Sequence, residues 1–199
     1  MRKLLVATTN RGKANEYREL LSGLDFELLT LDQAGITQEA DESYATFEEN
    51  ARSKATFYAS LSGLLTLADD SGLEVDALGG EPGVRSSRYA GDNATDADRV
   101  NFLLAKMKDV PQAARQARFR CVIAIAEPGG QVWLTQGVCG GFIALEPKGE
   151  NGFGYDPVFF VPEYGKTIAE LPASLKNEIS HRGRAARQAR PILERLFKN

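Results

Sequence analysis

Leu65-Thr66-Leu67-Ala68-Asp69-Asp70-Ser71-Gly72 is a short apolar run that ends abruptly on two acids, a hydroxyl and a glycine. It reads as a buried strand that delivers carboxylates to its carboxyl end. In α/β proteins the crevice beyond the strand ends is where ligands bind, so two adjacent aspartates there point to a metal or acid/base site. Successive side chains of a strand face opposite sides, and a regular strand would therefore keep Asp69 and Asp70 from sharing one ligand. Gly72 predicts a turn that lifts this limit. An acidic strand-to-turn junction that only solvates a loop is the plain structural alternative, and these eight residues leave both open.

Upstream, Leu4-Leu5-Val6-Ala7 is an apolar run, followed by the small, polar and basic segment Thr8-Thr9-Asn10-Arg11-Gly12-Lys13. Tyr17, Leu20, Leu21 and Leu24 then recur at i, i+3, i+4 and i+7, one face of a helix. Hydroxyls, an amide, the free N–H groups of a helix start and Lys13 make a plausible anion cradle. The spacing is neither that of a Walker A loop nor that of a dinucleotide fingerprint, so a plain loop stays open beside it. Phe26 to Leu31 predicts a second strand, and the loop from Asp32 to Glu42 turns acidic at Glu39, Asp41 and Glu42. Thr46-Phe47-Glu48-Glu49 matches a capping box and predicts a helix to about Leu61, with Phe47, Ala51, Ala55, Tyr58 and Ala59 as its buried stripe. Lys54 falls close to that stripe, where it either snorkels or points an ammonium at carboxylates.

Downstream, Leu73 to Leu78 predicts another strand before the Gly79-Gly80-Glu81-Pro82-Gly83 turn, and Arg85 to Ala90 a loop or short helical turn. Thr95 and Asp98 open a third helix, with Val100, Leu103, Leu104 and Met107 on one face and Pro111 as its stop. Phe119, Cys121, Ile123 and Ile125 alternate in a strand that the Pro128-Gly129-Gly130 turn leads into Val132-Trp133-Leu134, a long hairpin. Gly137, Gly140 and Gly141 predict a bulge or bend in the returning strand. Gly152-Phe153-Gly154-Tyr155-Asp156-Pro157 puts an aromatic between glycines ahead of the strand Val158 to Val161, fitting either base stacking or a glycine turn with core aromatics. Residues 176–198 carry seven Lys or Arg and only two acids, which suggests a local anionic ligand near Lys176, His181 and Arg182. The last helix has Ile192, Leu193, Leu196 and Phe197 as its stripe.

The 199 residues, 43% hydrophobic and 26% charged, have the makeup of one globular domain or two closely joined lobes. A net charge of -3 argues against a protein that coats nucleic acid. Cys121 and Cys139 are too few for a disulfide framework and lack the spacing of a zinc site, so reduced core thiols are expected. The amino terminus has no signal-peptide core, and no segment approaches the roughly 20 apolar residues of a membrane span. A soluble cytoplasmic protein is expected.

An acidic set (Asp41, Glu42, Asp69, Asp70), a basic set (Lys13, Lys54, Lys176, Arg182) and an aromatic glycine loop are what a magnesium nucleotide needs. Mg²⁺ takes one or two carboxylates plus waters and phosphate oxygens, lysines neutralise the remaining charge, and an aromatic supports the base. With no Cys or His at motif spacing to act as nucleophile, attack by a metal-oriented water is the economical chemistry.

Thr8-x-Asn10-x-x-Lys13, Thr46-Phe47-x-Glu49-Asn50-Ala51-x-x-Lys54-Ala55, Ala68-Asp69-Asp70-Ser71-Gly72-Leu73, Gly152-Phe153-Gly154-Tyr155-Asp156-Pro157 and Ser180-His181-Arg182-Gly183, in this order over essentially the whole chain, resemble the inosine/xanthosine triphosphate pyrophosphatase family. The resemblance implies an α/β fold with a long central mixed sheet flanked by helices. It implies one domain over residues 1–199, with two lobes and a deep nucleotide-binding cleft between them, and typically a homodimer. The implied reaction splits the α–β phosphate link of dITP, ITP or XTP into nucleoside monophosphate and pyrophosphate, clearing non-standard purines from the nucleotide pool. Thr8, Thr9, Asn10, Arg11, Gly12 and Lys13 would bind the triphosphate, although Thr9 stands where relatives often have glycine. Asp70 would be proton acceptor and Mg²⁺ ligand, with Asp69 the second candidate base, Lys54 stabilising charge, and Asp41 or Glu42 the second metal ligand. Ser71, Phe153, Gly154, Tyr155, Asp156, Lys176, His181 and Arg182 would hold the nucleotide, and hydrogen bonds near Asp156, His181 and Arg182 would select a 6-keto purine. Two other readings remain: an enzyme of the septum-inhibition protein family, acting on dTTP or UTP, and a nucleotide-binding module without catalysis.

Overall fold

The computed structural model describes residues 2–198. Seven strands form one mixed sheet: β1 (Lys3–Val6), β2 (Glu27–Thr30), β3 (Leu65–Val75), β4 (Gln116–Ala126), β5 (Val132–Ile143), β6 (Phe159–Val161) and β7 (Lys166–Thr167), in the order β2-β1-β3-β4-β5-β6-β7. The helices are α1 (Arg11–Leu20), α2 (Phe47–Ser62), α3 (Asp96–Lys106), α4 (Ala173–Ile179) and α5 (His181–Lys198). None of the described helices is long and apolar enough to cross a membrane.

The chain divides into two compact units, each with its own core. The first comprises Met1–Asp70, Cys121–Gly137 and Arg182–Asn199. In it β1 runs parallel to both β2 and β3, as strands joined through helical crossovers must. Its core gathers Leu4, Val6, Tyr17, Leu67, Ile123 and Ile125 against Ala185, Ala186, Ala189 and Leu193 of α5. The face of α5 that is fully buried is therefore mostly alanine, a stripe too weakly apolar to stand out beside Ile192, Leu196 and Phe197, which pack at the margin. The second unit comprises Ser71–Arg120 and Val138–His181. Here β6 pairs antiparallel with β5 and β7, over a core of Leu73, Val100, Leu103, Met107, Phe119, Tyr155 and Phe159. Cys121 and Cys139 are buried free thiols, as expected.

Several sequence expectations need correction. Gly72 makes no turn: β3 runs without interruption from Leu65 to Val75, and a 3-10 turn at Asp76–Leu78 takes the place of the expected second strand. Likewise β5 passes through Gly137, Gly140 and Gly141 as a single strand. Gly141 is small for a different reason, since a Cβ there would lie 2.4 Å from the carbonyl oxygen of Phe160 and 2.7 Å from the Phe159 ring. Leu24 lies beyond the end of α1, and α5 begins at His181, preceded by the additional short helix α4. The predicted start of α2 is found with a variation: Thr46 Oγ1 accepts the Glu49 N–H at 3.2 Å and donates to the Glu49 carboxylate at 2.8 Å. At α3 the full capping box forms between Thr95 and Asp98.

The buried Arg115 anchors the end of α3. Its guanidinium donates to the carbonyls of Val110 (3.0 Å), Ala144 (3.2 Å) and Met107 (2.6 Å). Truncation strands these acceptors in a place water does not reach, so Arg115→Ala is expected to lower the unfolding free energy by about 3 kcal/mol, read as a lower urea midpoint.

Candidate active site

In the first unit the residues gather where the end of β1 lies beside β3; Asp69 and Asp70 fall in the middle of β3, not at its carboxyl end as the sequence predicted. The loop after β1 is wound into the start of α1: Thr8 Oγ1 accepts the Asn10 N–H (3.1 Å) and Asn10 caps the helix by accepting the Lys13 N–H (3.1 Å). Thr9 and Arg11 are exposed and Gly12 half-buried in this same turn. These two bonds fix the start of α1 at the end of β1.

On the unbroken strand β3 the two aspartates meet different partners. Neighbouring side chains of a regular strand point to opposite faces, and Asp69 and Asp70 have different partners accordingly. Asp69 is fully buried and takes Lys13 Nζ at 3.0 Å and Arg182 Nη2 at 3.3 Å, while the Cys121 thiol donates to it at 3.7 Å. Burial alone would raise its pKa, but the charges of Lys13, Arg182 and Lys54 outweigh burial and hold the carboxyl well below the usual range. Arg182 is a second hub, donating also to Glu16 at 2.6 Å, with its guanidinium carbon 5.9 Å from the Tyr17 ring centre. The Cys121 thiol is pushed up to about 12 by burial and by Asp69, which makes it inert at neutral pH.

Asp70 meets a different environment. Asn50 Nδ2 donates to Oδ2 at 2.9 Å, and the same Asn50 bonds the backbone of Tyr44 in both directions, with Oδ1 accepting its N–H and Nδ2 donating to its carbonyl. Desolvation is the largest influence on Asp70; Lys13, Lys54 and Asn50 oppose it, and the carboxyl settles at about 6. A buried carboxyl poised near neutrality can accept a proton and lose it again. Lys54, buried on α2, pairs with Glu42 at 2.8 Å. Burial disfavours its charge, yet Glu42, Asp69 and Asp70 together keep it protonated, with a raised pKa. Asp41, by contrast, is exposed and its Oδ1 caps the Ser43 N–H at 2.9 Å. Among the described residues no three His, Cys, Asp or Glu side chains converge into a metal cage. The carboxylates of Asp70 and Glu42 both act on Lys54, and oxygen donors of this kind would suit a hard cation such as Mg²⁺ that keeps most of its shell for water and phosphate.

In the second unit the glycine loop forms a separate set. Asp156 is buried; its Oδ2 accepts the Phe153 N–H at 2.9 Å and takes Lys176 Nζ at 2.5 Å. The same ammonium lies 4.6 Å from the Phe153 ring centre. Gly152 is obligatory here, because its φ of +79 places the backbone where a Cβ would sit 2.1 Å from the Asp156 carboxylate. Tyr155 belongs to the core and donates its hydroxyl to the Ser86 carbonyl at 2.9 Å, so it offers a ligand main chain rather than ring. His181 is buried and stacked on Phe119, with centroids 4.7 Å apart. Ser71 follows Asp70 in β3, half-buried.

The predicted residues whose contacts are described above fall into two groups, one in each unit, while Asp41 sits on an exposed turn and Tyr155 in the core. Asn50 carries a contact that the sequence did not assign, although its i, i+4 spacing from Lys54 put both on one face of α2. Glu16 and Cys121 had no such signal, since their partners lie far away in the chain.

Comparison with known proteins gives a consistent picture. A model of the Ham1 family matches residues 4–192. The dITP/XTP pyrophosphatase of Desulforamulus reducens is 50% identical over 195 residues, 98% of this chain and 97% of that one. The dITP/XTP pyrophosphatase of Bacillus subtilis is 43% identical over 194 residues, 98% of each chain. Among solved structures, a HAM1 protein from Coxiella burnetii superposes with a TM-score of 0.88 at 43% identity, over 98% of this chain and all of that one.

Proposed function

The chain belongs to the Ham1 family, and on that basis we propose that it hydrolyses non-standard purine nucleoside triphosphates, dITP, ITP and XTP, to the monophosphate and pyrophosphate. Relatives at 43% to 51% identity bearing the name dITP/XTP pyrophosphatase support the reaction. The observation that carries it on this chain's own residues is the division of labour along β3, where one aspartate is locked into ion pairs and the next is left near neutrality.

In this proposal the loop from Thr8 to Lys13 holds the triphosphate, and Lys13 keeps its position through Asp69. Asp70 accepts a proton from the attacking water as the α–β link breaks, and Lys54 offsets the charge that develops on the leaving pyrophosphate. A magnesium ion held by Asp70 and Glu42 would neutralise phosphate charge and favour departure of pyrophosphate. Glu42 is preferred to Asp41 as the second ligand because Lys54 couples it to the aspartates, whereas Asp41 is spent on a backbone turn. Phe153, Gly154, Asp156, Lys176 and His181, with Ser71, are assigned to the nucleoside. Hydrogen bonds to the 6-keto edge reject adenine, which would leave them unmade. We also propose a homodimer in solution, to be checked by light scattering against the chain mass of 21.7 kDa.

The test is product analysis with dITP, XTP, dATP and dTTP in the presence of Mg²⁺. Pyrophosphate from dITP and XTP, with little from dATP or dTTP, is the expected outcome. Preference for dTTP would favour the septum-inhibition type, and absence of turnover a binding module. Chelation with EDTA is expected to abolish pyrophosphate release, and added Mg²⁺ to restore it, while the far-ultraviolet circular dichroism stays unchanged.

A further inference from the structure

We infer that Asp96 is a positioning residue for base recognition, acting through the backbone of Gly154. The inference rests on the assignment of the Phe153 to Asp156 loop to the purine. Asp96 is the first residue of α3, a position where an acid commonly only complements the helix dipole. That end is already served: Thr95 and Asp98 close the capping box, with Thr95 N–H to Asp98 Oδ2 at 2.8 Å and Asp98 N–H to Thr95 Oγ1 at 3.1 Å. The Asp96 carboxylate does something else. Its Oδ2 accepts the Gly154 N–H at 2.7 Å, across 58 residues of chain, and its Oδ1 is held by the guanidinium of Arg99. Arg99 is itself fixed by the carbonyls of Ser87 (2.8 Å) and Ala94 (2.6 Å).

Three consecutive residues of the loop are therefore each tied to a different anchor. Phe153 N–H is held by Asp156, Gly154 N–H by Asp96, and the Tyr155 hydroxyl by Ser86. Asp156 and Tyr155 are buried, and Asp96 is half-exposed, so its tie is the one that can be cut without opening the core. A bond to an ionised acceptor is about twice as strong as a neutral one, and Arg99 restrains the carboxylate that makes it. Without it the Phe153–Gly154 peptide keeps only the longer bond from the Asp156 N–H to the Phe153 carbonyl (3.3 Å), and the presentation of the Phe153 ring loosens while Lys176 stays on Asp156.

The experiment compares Asp96→Ala, Asp96→Asn and Asp98→Ala with the wild type. It measures kcat and KM for dITP and dATP, and in parallel dIMP binding by calorimetry, which reads the base site without any turnover. Asp96→Ala should raise KM for dITP and the dIMP Kd by about tenfold, leave kcat within about twofold, and lower the preference for dITP over dATP. Asp96→Asn keeps an oxygen acceptor for Gly154 and should recover most of the loss. Asp98→Ala breaks the capping box of the same helix without touching Gly154 and should leave KM and Kd at wild-type values. Equal weakening by Asp98→Ala, or an Asp96→Ala variant with unchanged KM, Kd and selectivity, overturns the role of Asp96. Wild-type pyrophosphate release separately tests the reaction, and the dIMP titration still decides the question of Asp96 if that release is absent.

Discussion

Asp70→Asn is expected to lower kcat for dITP by about 10³-fold, the middle of the range for a general base, with the fold intact. Asparagine keeps the volume of the side chain and an oxygen for the Asn50 amide, which lies 2.9 Å away. What it removes is the proton acceptor. Burial raises Asp70 to about 6, so at neutral pH the folded state carries an ionised carboxylate less comfortably than the unfolded chain does. Removing that charge should leave the urea midpoint unchanged or higher. Turnover within a few fold of wild type would remove Asp70 from the proposed role, and a large loss of stability would recast it as structural.

The adjacent substitution should behave in the opposite sense. Asp69→Asn takes from Lys13 its buried carboxylate and from Arg182 one of its two, Glu16 being the other. Breaking a buried ion pair from one side costs about 3 to 5 kcal/mol, a large fraction of the roughly 5 to 15 kcal/mol that holds a domain together. The urea midpoint should fall sharply. Turnover should fall too, because Lys13 loses the contact that aims it, but here the loss should appear partly as a raised KM for the triphosphate. A variant as stable as wild type would show that Asp69 is not the hub the ion pairs make it. Two neighbours in sequence, one governing rate and the other stability, are a direct consequence of strand alternation.

The local elements were legible wherever a residue's own type set the backbone. The helix opened by Thr95 and Asp98, the helix start after Asn10 and the strand of Phe119, Cys121, Ile123 and Ile125 all recur in the structure. Legibility failed where glycine was taken for a turn. Gly72 sits inside β3, where pairing to neighbouring strands overrides a glycine's freedom, and Gly141 is small to admit the Phe160 backbone and the Phe159 ring. It failed again at α5, whose alanine face gains its hydrophobic character only by closeness of packing.

By itself the sequence determined which chemistry is present: hard oxygen donors, lysines and arginines at a helix start and near the carboxyl terminus, and an aromatic loop pinned by glycine. Those properties belong to residue types and short spacings, and survive any arrangement of the chain. Only the tertiary structure decided which partners each acid has. The partners that separate Asp69 from Asp70 come from 113 residues away at Arg182 and 20 residues away at Asn50. The charge state of a carboxyl depends on how much water the fold removes and which cations it brings near, neither of which is written in the two letters Asp-Asp.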